Sequence, residues 1–208
     1  ITMIDDWIGR ILSALERTGK AEDTVVVFMS DHGDYMGDHG TVLKHGLHSH
    51  GLIRVPLICG AMYPCSNPEL VAAVSAAGGI GVVQPISLTY VHGHDFRVGL
   101  RLIKSLTSKP IGMNALIEAS SKTYHERMVR WIDIALDEGV RFFITALGNP
   151  RWVVDKVHAV GGIVYHDVTE RKWALKALDG GVDGLICVNA NAGGHAGGRS
   201  PEALHEEL

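Results

Sequence analysis

From Val55 to the end of the chain, short apolar runs alternate with stretches whose apolar residues recur at helical spacing. The runs are Pro56–Ala61, Ile80–Gln84, Pro110–Leu116, Arg141–Ala146, Gly162–His166 and Gly184–Val188, and each reads as a strand. The segments Pro68–Ala77, His94–Leu106, Lys122–Glu138, Pro150–Val160, Glu170–Leu178 and a last one beginning at Pro201 read as helices. Between Tyr124 and Glu138, Met128, Ile132 and Ala135 share one stripe flanked by Trp131 and Leu136, which predicts one buried face. Several helices run into glycine before the next strand, as at Gly78-Gly79, Gly139, Gly161-Gly162 and Gly180-Gly181, where a left-handed cap suits the turn.

Repeated strand–helix units imply a parallel sheet with helices outside it. An open nucleotide-binding sheet carries a glycine fingerprint after its first strand. Here that position holds Met62-Tyr63-Pro64-Cys65. Polar or long side chains instead end nearly every strand: Met62/Tyr63, Gln84, Asn114, Thr145, His166/Asp167 and Asn189. A barrel whose strands each donate a residue to one mouth explains that pattern. The expected fold is α/β, an incomplete (β/α)8 TIM-type barrel with about six of eight strands.

The first quarter has a different texture. Ile4, Trp7, Ile8, Ile11, Leu12 and Leu15 predict a helix stopped at Thr18-Gly19, and Thr24–Met29 predicts a strand buried on both faces. Ser30–His50 is polar and rich in Gly, Asp and His, with five of the chain's 12 histidines (His32, His39, His45, His48 and His50), and reads as a long functional loop. The expected division is residues 1–53 and 54–208.

Composition narrows the function classes. With 208 residues and 46% hydrophobic content the chain can bury a core, and a net charge of −4 gives no footprint for nucleic acid or an anionic membrane. No apolar run approaches a membrane span and no signal peptide is visible, so a small-molecule enzyme of the cytoplasm is expected. Cys59, Cys65 and Cys187 form no disulfide framework, which suits a reducing compartment. The opening Ile1-Thr2-Met3 is not a natural beginning, so upstream sequence is expected.

Leu57-Ile58-Cys59-Gly60-Ala61-Met62, Ala77-Gly78-Gly79-Ile80-Gly81, Gly112-Met113-Asn114 and Ala192-Gly193-Gly194-His195-Ala196-Gly197 together resemble the nitronate monooxygenase family, over roughly residues 54–208. The Gly-Gly-His-x-Gly element is the most specific of these. The resemblance implies FMN across the barrel mouth and oxidation of alkyl nitronates or nitroalkanes by molecular oxygen. It also implies cofactor contacts from Gly60, Ala61, Met62, Asn114, His166, Asn189, Gly193 and Gly194, with His195 as the base that takes the nitroalkane α-proton. Spacing alone leaves His195 open between that role and an ordinary loop histidine, Asn114 between cofactor contact and strand-end cap, and His166 between cofactor contact and a strand exit before a helix cap. His92, His94, His125, His158 and His205 read as surface residues, and Trp131, Trp152 and Trp173 as packing. In the family the flavin phosphate is held after strands seven and eight, which lie beyond Leu208, so weakened FMN binding and impaired turnover are expected.

Val25-Val26-Val27-Phe28-Met29-Ser30-Asp31-His32-Gly33-Asp34, Met36-Gly37-Asp38-His39-Gly40, Lys44 and Ile53-Arg54-Val55-Pro56 resemble the sulfatases, over about residues 4–57. That resemblance implies metal ligation by Asp31 and His32, a divalent cation (Ca or Mg), and contact of Lys44 with the ester anion. The bland reading is a capped turn in a solvated histidine cluster. The Cys/Ser-x-Pro-x-Arg nucleophile motif occurs nowhere in the sequence. A sulfatase tail joined to a barrel head suggests a fused or misassembled frame, a sulfuric-ester hydrolase fragment, or a catalytically silent chain that self-associates through exposed strand edges.

Overall fold

The computed structural model describes Arg10, Ser13, Ala14, residues 16–19, residues 58–118 and residues 121–208. The chain forms two compact units, Ile1–Val55 and Pro56–Leu208. In the first unit Arg10, Ser13, Ala14, Glu16 and Arg17 are helical. The Thr18 hydroxyl donates to the Ala14 carbonyl at 2.9 Å, and Gly19 turns the chain at φ 66. The expected strand at Thr24–Met29, the loop at Ser30–His50, and Asp31, His32 and Lys44 lie outside the described residues.

The second unit runs β1 (Ile58–Cys59), α1 (Pro68–Ala76), β2 (Ile80–Val83), a π-helical turn (Ser87–Val91), α2 (Phe96–Leu106), β3 (Gly112–Leu116), α3 (Lys122–Asp137), β4 (Phe142–Ala146), α4 (Arg151–His158), β5 (Ile163–Val168), α5 (Arg171–Asp179), β6 (Gly184–Cys187) and α6 (Pro201–Glu207). The strands form one parallel sheet in sequence order, curled into a half-barrel with helices on its outer face. Consecutive parallel neighbours joined through helices are the barrel's way of winding.

Side chains start the helices where the sequence supplies oxygen acceptors. The side chains of Asn67, Asp95, Ser121 and Ser200 accept from the Leu70, Val98, Tyr124 and Ala203 amides, satisfying donors that the first helical turn leaves open. The core lies between sheet and helices: Val83, Met113, Phe143 and Val164 from the strands meet Leu100, Ile103, Ile132, Ala135, Val153 and Val157 from the helices, all completely buried. Burial of large apolar side chains is the main stabilising contribution, about 1.5–3 kcal/mol each.

Two differences from the pattern reading have local causes. Among the described residues the first ladder pairs Ile58 and Cys59 and stops short of Ala61, because Met62 turns back to Ser66: the Met62 amide donates to Ser66 Oγ at 2.8 Å and the Met62 carbonyl accepts from the Ser66 amide. The fifth strand runs two residues past His166, to Val168, where the Val168 carbonyl still accepts from the Val188 amide of the next strand's end. Among the described residues, no helix is long and apolar enough to cross a membrane.

Two ties fix the helix layer. Glu138, after α3, accepts from Arg97 Nη1 at 2.9 Å and Arg101 Nε at 3.0 Å, and its backbone carbonyl accepts from Lys104 Nζ at 2.8 Å, so α2 and α3 are clamped at one end. Gly81 lets β2 approach α1 closely. Its amide donates to the buried Ser75 hydroxyl at 3.0 Å, and a Cβ there would stand 2.1 Å from the Val71 carbonyl oxygen. Backbone cannot give way as a flexible side-chain tip can, so Gly81→Ala is expected to lower unfolding stability by about 2–3 kcal/mol, while Gly198→Ala, with open space at its Cβ, changes it by less than about 0.5 kcal/mol. Urea denaturation of both variants reads this; equal midpoints would show that α1 is not held where the sheet places it.

Candidate active site

Strand alternation sorts the sheet residues into two faces. Met113, Phe143 and Val164 lie in one registered row, and Ala115, Thr145, His166 and Leu185 in another, all on the face that the helices cover. The opposite, concave face is built in three rows. Gly112, Phe142 and Ile163 form the deepest. Asn114, Ile144, Tyr165 and Gly184 form the middle row. Leu116 and Ala146, then Asp167 and Ile186, stand nearest the carboxyl ends of the strands.

The concave face is largely apolar. The Phe142 and Tyr165 rings meet edge to face with centroids 5.3 Å apart. Gly184 makes room for that pair, since a Cβ there would lie 2.7 Å from the Tyr165 ring. Asn114 is half-buried in this surface and its amide makes no hydrogen bond among the described residues. A side-chain amide held on a largely apolar wall, with donor and acceptor both unspent, is suited to the polar edge of a heteroaromatic ligand.

The loops at the carboxyl ends hold the other residues singled out by sequence. Gly60 and Ala61 leave β1, and the exposed Met62 follows them in the turn closed by Ser66. His92 braces this turn, its Nε2 lying 3.0 Å from the Pro64 carbonyl oxygen. After β6, the segment from Asn189 to Arg199 forms a closed loop: the Ala190 amide donates to the Arg199 carbonyl at 2.7 Å, and the Asn189 carbonyl accepts from the Ala192 and Gly197 amides. The Asn189 side chain accepts from the Asn191 amide at 2.8 Å, so it shapes the loop. Gly197 is required at the neck, where a Cβ would stand 2.2 Å from the Val188 carbonyl oxygen. Gly193, Gly194 and His195 lie exposed on the loop, Gly194 at φ 79, and no heavy atom would crowd a Cβ at either glycine. Leu147, after β4, is also left-handed, at φ 62, an uncommon conformation for a non-glycine residue.

The structure does not bring His166 together with Asn114. His166 is buried on the helix side of the sheet, its Nδ1 2.8 Å from Thr145 Oγ1. The Thr145 hydroxyl donates its proton to the Tyr165 carbonyl at 3.1 Å, so the ring Nδ1–H donates to the hydroxyl and the imidazole is held in one tautomer. Burial, followed by the charge of Lys176, pushes the His166 pKa down to about 4, leaving it neutral at physiological pH. The residue that β5 turns toward the concave face is Asp167, which the pattern of strand ends includes beside His166 and to which the family resemblance gives no cofactor role. Burial alone pushes its carboxyl up to about 6, and it has no hydrogen bond or ion pair among the described residues. Strand alternation was the signal that distinguishes the two neighbours. Among the described residues, no group of three His, Cys, Asp or Glu side chains is placed to hold a metal ion.

Comparisons with known proteins agree with this architecture. A family model described as nitronate monooxygenase matches residues 45–208, and one described as sulfatase matches residues 1–60. A (3aS,4S,5R,7aS)-5-hydroxy-7a-methyl-1-oxo-octahydro-1H-indene-4-carboxyl-CoA dehydrogenase from Rhodococcus jostii is 29% identical over 145 residues, which is 70% of this chain and 38% of that protein. An arylsulfatase from Clostridium perfringens is 52% identical over 56 residues, 27% of this chain and 11% of the enzyme. A solved FabK mutant from Thermotoga maritima superposes with a TM-score of 0.61 at 25% identity, over 73% of this chain and 49% of that one. The chain thus spans less than half the length of each of these relatives.

His166 and Asp167 make opposed contributions to stability. Unfolding returns His166 to its ordinary 6.5, so its contribution is complete above that value and is lost as pH falls toward 4. Unfolding returns Asp167 to its ordinary 3.8, so the folded state holds its proton longer and loses stability as pH rises from 3.8 to about 6. The two trends offset each other in the wild type. Melting temperatures between pH 4.5 and 7.5 are expected to separate them: the gain of Asp167→Asn over wild type shrinks on acidification, whereas the deficit of His166→Gln narrows. Difference curves of Asp167→Asn and His166→Gln that slope the same way would refute the two-face placement.

Proposed function

The chain belongs to the nitronate monooxygenase family over residues 45–208, and from that premise we propose that its concave sheet face holds FMN and that it oxidises nitroalkanes or their nitronates with molecular oxygen. The observation that carries the proposal is the unspent Asn114 amide beside Ile144 and Tyr165 in the middle row of the concave face of a curled parallel sheet. The open space at Gly60, Gly193 and Gly194 supports close approach of a ligand to backbone at both ends of the sheet.

In this reading Asn114 hydrogen-bonds the polar edge of the flavin ring, and Gly60, Ala61 and Met62 line it from β1. Bound FMN supplies the electron-accepting centre and passes the electrons on to oxygen. His195 takes the α-proton of a neutral nitroalkane, a step that needs a neutral imidazole free of competing partners. Asn189 acts through the loop, since its two acceptors hold the segment that carries Gly193, Gly194 and His195.

A second reading concerns the other unit. Because residues 1–60 match the sulfatase model, Asp31, His32 and Lys44 are taken as the remnant of an ester-anion site that would use a divalent cation.

Purified chain is expected to be yellow, or to quench FMN fluorescence on titration. His195→Asn is expected to cut kcat/KM for nitroethane by about 10²–10⁴-fold while sparing preformed ethylnitronate, because only the neutral substrate needs the base. Equal loss on both substrates removes His195 as the base. A colourless protein indifferent to FMN but hydrolysing arylsulfates with added metal would reverse the ranking of the two readings.

A further inference from the structure

Among the described residues, Leu147 is the non-glycine residue held in the left-handed region, at φ 62. That conformation is unfavourable for an L-residue, because its Cβ crowds the following carbonyl oxygen. Packing does not offset the strain, since the Leu147 side chain is 55% exposed and takes no part in the core cluster. The backbone on either side is fixed by other groups. Before it, the Ala146 carbonyl accepts from the Ile117 amide at 2.9 Å, extending the ladder between β3 and β4. After it, Gly148 at φ 81 packs so closely that a Cβ would stand 2.7 Å from the Ile117 carbonyl oxygen. Asn149 Oδ1 then accepts from the Arg151 amide at 3.0 Å, and the Pro150 carbonyl accepts from the Val153 and Val154 amides to start α4. Glycine would serve this turn without strain, so the fold itself gives the leucine side chain nothing to do.

Leu147 follows Ala146, whose row with Leu116 stands nearest the carboxyl ends on the concave face. It lies three residues beyond Ile144, the register partner of Asn114, which is about 10 Å along the strand. A ligand that reaches the middle row from the carboxyl ends passes this leucine. Single exposed leucines are ordinary on a protein surface. Exposure combined with backbone strain, at the end of a central strand, marks a functional position. We propose that Leu147 is a specificity-determining residue that contacts the alkyl part of the substrate and favours longer alkyl chains over the shortest. Nitroalkanes and nitronates are served alike, because an apolar contact does not distinguish the charge of the head group. The inference rests on the reading of the concave face as the ligand site and deepens it to the class of alkyl substituent.

Propionate and hexanoate, whose planar anionic head groups resemble a nitronate, report the contact without being oxidised. Ligand-observed NMR titration of the full chain, with and without FMN, reads their affinities independently of turnover. Burying one methylene is worth about fourfold in affinity, and contact on one side realises only part of that. Across the chain-length difference, wild type is expected to bind hexanoate about tenfold more tightly than propionate, and Leu147→Gly only about twofold. Leu147→Met, which restores an apolar side chain, is expected to recover the preference. Val160→Ala, at an exposed apolar residue in the turn before β5, is expected to leave it unchanged. The melting temperature of Leu147→Gly is expected to stay within about 4 °C of wild type, relief of strain offsetting the freedom of glycine in the unfolded chain. A larger fall would show a packed leucine and overturn the proposal, as would an undiminished preference in Leu147→Gly or none in wild type. If FMN is not taken up but the Leu147-dependent preference persists, only the flavin reading falls. If FMN binds while wild type and Leu147→Gly rank the probes alike, the Leu147 proposal falls and the flavin reading stands. Failure of both probes to bind, with no uptake of FMN, defeats the two together.

Discussion

The period of two along a parallel strand governs the chemistry of this protein. Each strand of the curled sheet must bury one face beneath a helix, and the residues of that face are then unavailable to a ligand. A displacement of one position moves a side chain from the helix layer to the concave wall. At β5 this decides which of two adjacent titratable residues faces the concave side. His166 loses contact with solvent, is fixed by Thr145 and becomes neutral packing, whereas Asp167 keeps an unpaired carboxyl facing the open side.

The helix layer is braced independently of the mouth. Glu138 gathers Arg97, Arg101 and Lys104 at the junction of α2 and α3, and Arg101 chiefly holds its carboxyl below the usual range. Its contribution is present above the ordinary carboxylate pKa and is lost on acidification. Nearby, the Arg127 guanidinium lies over Tyr90, Tyr124 and Trp131, with 5.2 Å to the Trp131 ring centre. This stack joins the turn after β2 to α3, so a residue expected to be packing is packing with a cation on it. With these ties outside, the mouth loops can carry glycines and a left-handed Leu147 without the sheet depending on them.

Much of the fold was legible because its signals are local. Apolar runs bounded by Gly and Pro marked β2 to β6, and the Met128–Ile132–Ala135 stripe marked the buried side of α3. The half-barrel followed from where Met62, Gln84, Asn114 and Asn189 fall relative to strand ends. What escaped was tertiary. Nothing in the residues around Met62 announces that Ser66 and His92 hold the chain in a turn there, so that β1 ends at Cys59. The end of β5 escaped for a related reason: a His-Asp-Val-Thr stretch looks like a strand exit until pairing with β6 carries it to Val168. The candidate loop residues rest on family resemblance, since isolated glycines have no periodicity to read.

Asn114 and Asp167 give the concave wall its polar character, and they differ in what they ask of a ligand. An amide offers a donor and an acceptor and is indifferent to ligand charge. A carboxyl with its proton released accepts only. A planar ring with mixed polar edges satisfies the first, and a hydrogen-bond donor satisfies the second. Ala146 and Ile186 beside Asp167 supply no countercharge, so it keeps a carboxyl unpaired among the described residues, and burial raises its pKa to about 6.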